Sequence, residues 1–276
     1  MRPRTLIAAL ALVLAAASAR AAYSPATANG WLITSGRVAG AGGSLFRTDV
    51  WLFNPDASAT VTATLVFHPA VSTGQPAAAP VSSDPIVLAP RETRFLPDVT
   101  LETVPAGDGV VGALEWQSSA ALMGAARIYT FTPGGTFGFF IPAIPQTESL
   151  TARASADDTV NVLQIYGTNS GSADFRTNLD VTNTSPVPVP VEVRVIDPVT
   201  SQIYGGTQSY VVAPGSLMRL GAVFATVGAP LVDGLRITVA VPEGTAIGAG
   251  GILAAAYTLD NRTQDAFAFV GQRQQP

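Results

Sequence analysis

Histidine occurs once in the 276 residues, at position 68, and cysteine and lysine do not occur at all. Any Ser–His–acid relay must therefore run through His68. Thiolate nucleophiles, Schiff bases and lysine general bases are excluded by composition. His68 stands before Pro69 at the end of an alternating apolar stretch, which predicts a surface loop residue rather than a catalytic base. A pair of carboxylates facing across a cleft, as sugar hydrolysis needs, remains open. No spacing of the acidic residues singles out such a pair, so a hydrolase is the third-ranked reading. Catalytic residues are expected to be none.

Metal chemistry is bounded in the same way. Zinc and its neighbours need clustered His or Cys, which are absent. Calcium needs only oxygens, and Asp108, Asp157-Asp158 and Asp260–Asp265 supply loop candidates. None has EF-hand spacing, and turn Asp and Asn ordinarily bond their own backbone. No metal and no cofactor is expected. The Gly-Ala-Gly-Gly runs at Gly40–Gly43 and Gly248–Gly251 precede strand candidates, so they read as loops rather than phosphate cradles. Asn183-Thr184-Ser185 and Asn261-Arg262-Thr263 match the glycosylation pattern.

The patch with most binding character is the stretch Phe46–Asn54, F-R-T-D-V-W-L-F-N. Its alternation puts Phe46, Thr48, Val50 and Leu52 on one face, and Arg47, Asp49, Trp51 and Phe53 on the other. The second set is the candidate binding set. Arg47 and Asp49 are expected to form a surface ion pair worth about 0–1 kcal/mol. The two aromatics are expected either to pack locally or between domains, or to serve a partner, a second copy or a glycan.

These residues are positioned by elements that recur. Phe175–Asn183 reads F-R-T-N-L-D-V-T-N and echoes Phe46–Asn54. Val189, Val191, Val193 and Val195 alternate as Val61, Ala63, Leu65 and Phe67 do. Ala213-Pro214 answers Ala89-Pro90, Gly221–Val227 answers a helical turn at Asp98–Val104, and Leu235–Val241 answers Val110–Gln117. The second of these early strands, Leu122–Thr130, follows Val110–Gln117 across a Ser-Ser-Ala turn. The order implies a duplicated unit. Each copy offers about seven or eight short strands divided by turn residues, the pattern of an antiparallel, immunoglobulin-like sandwich. The fold expected is all-β, with two tandem antiparallel β-sandwich domains. Residues 31–145 form the first, 146–159 a polar linker, and 160–273 the second.

Residues 1–22 have a basic start, the apolar run Leu6–Ala17 and an A-x-A-like site, which predicts an export signal peptide. That run is shorter than the roughly 20 residues a spanning helix needs, so no membrane span is expected in the mature chain. Without Arg2, Arg4 and Arg20 the formal charge falls from −4 to −7. An acidic balance argues against nucleic acid, whose phosphates need a basic face.

The phrases F-R-T-D-V-W-L-F-N-P, V-L-A-P-R-E-T, T-F-G-F-F-I-P and A-Y-T-L-D-N-R-T-Q-D resemble those of secreted bacterial proteins with tandem β-sandwich repeats. A looser similarity is to the sensory rhodopsin transducer, a soluble β-sandwich that assembles as an oligomer. It rests on strands ending in Asn54 and Asn183, the Val-alternating strand and the Ala-Pro pair. The resemblance implies a sandwich fold and self-association, with no implied chemistry. The expected function is an exported, non-catalytic binding, adhesion or structural module at the cell surface or outside the cell, with a secreted, periplasmic or extracellular location. A carbohydrate-binding module, with or without calcium, is the alternative.

Overall fold

The computed structural model describes residues 25–40, 43–132, 135–155, 161–168, 174–230 and 232–273. The expected signal peptide, residues 41 and 42 of the first glycine run, and Asp157-Asp158 lie outside them. Almost all of the regular structure in the described chain is β-strand, as the composition predicts.

The first half contains β1 (Thr27–Ala39), β2 (Leu45–Phe53), β3 (Val61–Pro69), β4 (Val81–Ser82), β5 (Ile86–Leu88), β6 (Thr93–Leu96), the one-turn helix α1 (Val99–Glu102), β7 (Val110–Thr132), β8 (Gly135–Pro142) and β9 (Ile144–Pro145). β7 replaces the two strands and the turn expected between them. It is one strand of 23 residues. Its early part pairs with β1 and β3, and its late part pairs with β2 and β8. Ser118–Ala121 pass from one sheet to the other instead of reversing the chain. The first sheet thus runs β3-β7-β1 with β9 beside β1, and the second runs β6-β2-β7-β8. Between them lies a core of Leu32, Val50, Leu52, Leu65, Phe67, Leu114, Trp116 and neighbours. The alternation predicted for β2 and β3 puts Val50 and Leu52, and Val61, Ala63, Leu65 and Phe67, into this core, whereas Phe46, expected with them, packs in the contact between the halves.

The second half contains β10 (Val162–Thr168), β11 (Phe175–Asn183), β12 (Val189–Ile196), β13 (Ile203–Val212), β14 (Ser216–Leu220), α2 (Val223–Thr226), β15 (Leu235–Ala240), β16 (Ile252–Asp260), β17 (Ala266–Val270) and β18 (Gln272–Arg273). Its sheets run β13-β12-β15-β10-β18 and β14-β11-β16-β17. This is the order of the first half, with β15 and β16 standing for the two parts of β7. Leu179, Val181, Val191, Val193, Ile237 and Val239 fill the core between them. β13 is not among the expected strands; Tyr204, Tyr210 and Val212 lie on its core side, and Gly205 and Gly206 take positive φ within it.

Two local devices recur at matching places. Asn54 ends β2 with its amide donating to the Ala59, Leu88 and Ala89 carbonyls, and Asn183 ends β11 by donating to Val187 and Val212. Each side-chain oxygen accepts a backbone N–H two residues on, from Asp56 and Ser185. The expected linker is tied down: Gln146–Glu148 form a 3-10 turn, Leu150 pairs with Ile252, and Ala152 with Val241.

A third core joins the halves. Trp31, Ile33, Phe46, Ala113, Ile128 and Ile141 of the first half pack with Leu217, Leu253, Ala255, Tyr257, Leu259 and Ala266 of the second. Thr182 donates to the Ile33 carbonyl at 2.9 Å and Arg219 to Thr34 at 3.1 Å, which fixes the alignment.

Candidate interaction surface

β2 has one face in the core, so Arg47, Asp49, Trp51 and Phe53 occupy the outer face of β6-β2-β7-β8. The register shows what stands beside them. Trp51 lies between Phe95 and Ala125, Phe53 between Thr93 and Met123, Asp49 beside Arg127, and Arg47 beside Tyr129. Phe140 of β8 stands beside Arg127, and Phe131 lies further along β7. Trp51 and Phe53 are half-buried, and the Trp51 and Phe95 rings are 5.0 Å apart. Phe95, Phe131 and Phe140 are 47%, 56% and 55% exposed. The arginines lie on rings: Arg47 is 5.4 Å from the centre of Phe131, and Arg127 is 4.8 Å from that of Tyr129. Trp51 therefore packs locally against Phe95.

Asp49 departs from expectation. It is buried, and it does not pair with Arg47. Its Oδ1 accepts the backbone N–H of Asp98 at 2.9 Å and the Tyr129 hydroxyl at 3.4 Å. Asp98 precedes α1 with φ 40°, a left-handed conformation unfavourable for a residue with a Cβ. The Asp49 bond holds it there. Asp98 occupies the expected capping position but makes no side-chain cap, because its carboxylate instead meets Arg37, with Arg47 3.9 Å away. Burial, and then the Asp49 charge, push the Tyr129 hydroxyl pKa upward. In the second half Asn178 Oδ1 accepts the N–H of Ala222, φ 45°, at 3.0 Å. The Asp/Asn position persists because both side chains offer this acceptor.

The matching outer face of β14-β11-β16-β17 has the opposite fate. Asp180 is fully buried and pairs with Arg219 at 2.7 Å, while Leu217, Leu253, Ala255, Tyr257 and Leu259 pack on the first half. One face is open, and its counterpart is the interface between the halves.

His68 is the second correction. It lies within β3 and is 9% exposed, not on a surface loop, because β3 continues through Pro69 alongside β7. Its Nε2 is 3.0 Å from Glu115, and its ring is 4.8 Å from Trp31. The group borders an open cleft of about 370 Å³ between the halves, where Ser185, Pro214 and Gly215 form the opposite wall. A relay needs a free hydroxyl. Ser185 Oγ is instead 2.7 Å from Asn183 Oδ1 and 2.9 Å from the Val187 carbonyl, and Thr184 is bonded to Gly251. The imidazole is oriented by Glu115, and among the described residues no Ser or Thr hydroxyl is hydrogen-bonded to it.

The loop oxygens are likewise occupied. Asp260 accepts from the Arg262 and Thr263 amides and the Thr263 hydroxyl, bonds that lower its pKa, and Asp108 pairs with Arg37. Among the described residues no three His, Asp or Glu side chains are grouped to hold a metal ion. Asn183 of the first glycosylation match is buried, and Gly250 passes so close to Thr184 that a Cβ would sit 2.6 Å from its carbonyl. No helix among the described residues is long and apolar enough to cross a membrane. No family model, no curated protein and no solved structure matches the chain.

Phe95, Met123, Arg127, Tyr129, Phe131 and Phe140 belong to the surface and were not singled out from sequence. The alternation Met123, Ala125, Arg127, Tyr129, Phe131 in the late part of β7 carried the signal.

Proposed function

We propose that the protein is an exported, non-catalytic binding or structural module that acts outside the cell through the outer face of β6-β2-β7-β8. The observation that carries this reading is the contrast between two equivalent faces. One is buried inside the molecule; the other leaves Phe95, Phe131 and Phe140 in solvent beside Trp51. Aromatic residues and arginine are the types that concentrate binding energy at interfaces, whereas lysine is depleted there. Export is supported by the leader pattern of residues 1–22, and descent of the halves from one duplicated sandwich by their common strand order. The likeness to secreted tandem-sandwich proteins belongs with this proposal.

The test compares the wild-type chain with a Phe131→Ser/Phe140→Ser variant in co-sedimentation with cell-envelope material and with insoluble polysaccharides. Both side chains are exposed, so the melting temperature should not change. Retention of the wild type and its loss in the variant is the expected result. Retention that survives the double substitution would remove this face from the function.

A further inference from the structure

We infer that the partner of this face is a second copy of the same chain, joined to it face to face about a two-fold axis. The inference rests on the reading of the face as a contact surface. Three features of the molecule point to a copy rather than to an unrelated partner.

The first is how the chain already treats such a face. At the same strand positions of the second half, Leu217, Leu253, Ala255, Tyr257 and Leu259 are covered by another sandwich of this very fold. Sheet-on-sheet packing is therefore the way this architecture buries that surface.

The second is the layout along the strands. The register places Phe53, Met123, Trp51 and Phe95 at one end of the face, and Arg127, Arg47, Tyr129 and Phe131 at the other. A two-fold axis lying in the contact plane and running across the strands lays each end on the opposite end of its mate. Guanidinium groups then meet Trp51 and Phe95, and the exchange happens twice. Arginine over an aromatic ring is favourable, most of all over Trp. An isologous contact needs this kind of self-complementarity, and two-fold dimers are the commonest assemblies.

The third is charge. Asp49, the acid on this face, is turned inward and bonded to the Asp98 amide and Tyr129, so association buries no unpaired carboxylate. Arg127 makes a hydrogen bond to Thr136, lies with one side of its guanidinium over Tyr129 and stands in no ion pair among the described residues, so a ring of the mate would stack on the other side of that plane.

The test uses the tryptophans. Of the three, Trp31 and Trp116 are almost fully buried, which leaves Trp51 as the half-exposed reporter. Sedimentation velocity is run from low to high micromolar protein, with iodide quenching of fluorescence on the same samples. The expected result is a monomer–dimer equilibrium in which the quenchable fraction falls as dimer forms. Phe140→Asp, at an exposed site, should weaken dimerisation at least tenfold, and Arg127→Gln by several-fold, with circular dichroism unchanged. A monomer at all concentrations overturns the inference. If that monomer's Trp51 is still shielded by an acidic polysaccharide, the surface reading stands and its partner is a glycan. A dimer indifferent to Phe140→Asp overturns both readings, because association then uses another face.

Discussion

Asp49 and Asn178 accept the same bond from the residue that opens a one-turn helix, and this makes their exchange informative. Asp49→Asn keeps an oxygen for the Asp98 N–H and should cost less than about 1 kcal/mol, whereas Asp49→Ala leaves that buried donor unpaired and should cost about 1–3 kcal/mol. Urea titration of both variants measures the difference, and equal losses would show that charge rather than the acceptor matters. The Tyr257 hydroxyl tests the reverse case, being buried in the interface between the halves with no hydrogen-bond partner among the described residues. Removing it in Tyr257→Phe should leave stability unchanged or raise it by about 1 kcal/mol. Burial lifts the Tyr257 pKa well above its ordinary value of about 10. Above that pH the unfolded chain gives up a proton that the folded chain keeps. Stability contributed by the neutral phenol is thus full below pH 10 and lost as pH rises toward the folded-state pKa. Tyr257→Phe should shift the alkaline unfolding midpoint upward, read by far-ultraviolet circular dichroism against pH.

At the scale of elements, alternation was the readable part. It placed Val50 and Leu52 of β2 and Val61 to Phe67 of β3 correctly, because a strand against a core must put every second side chain there, while Phe46 on the same side of β2 reaches the contact between the halves. It could not show what lies over the outward side. Asp49 is outward along β2 and still buried, since Asp98 and Tyr129 come from elements remote in sequence. His68 was misplaced for a related reason: Pro69 normally ends a strand, yet here it closes β3 with its nitrogen outside the ladder's needs. The Ser-Ser-Ala segment looked like a hairpin turn because polar small residues mark turns, and the passage of β7 between sheets uses the same residues. Trp116 shows how tightly this passage is built. A Cβ added at Gly30 or Gly124 would sit 2.2 or 2.5 Å from its indole ring. Gly124→Ala should therefore destabilise by about 1–3 kcal/mol through overpacking, although alanine is tolerated in strands generally. Thermal melts check this, and a neutral Gly124→Ala would mean that the indole has room to move.

At the scale of the molecule, the halves share a core, and that decides how the chain unfolds. Leu217 is fully buried where β14 meets the first half, and its carbonyl accepts the Val71 N–H at 2.9 Å. Neither half covers these side chains alone. Separation would expose Trp31, Ile33, Leu217, Leu253 and Tyr257 together, each worth about 1.5–3 kcal/mol when an apolar side chain of that size is buried. Coupling of that size is comparable to the roughly 5–15 kcal/mol that usually separates a folded domain from its unfolded state. Calorimetry should accordingly show one transition for the wild-type chain. Leu217→Asp places an unpaired carboxylate in this interface without touching either sandwich core, whose members Val181 and Met218 point the other way. A charge without a partner in a buried site costs several kcal/mol, and water entering between the halves is the way the molecule can relieve it. The transition should then split in two, with the half that retains its own complete core melting later. A single transition lowered as a whole would show instead that each sandwich depends on the other to fold, and that the interface is part of the folding unit rather than a contact between two finished domains.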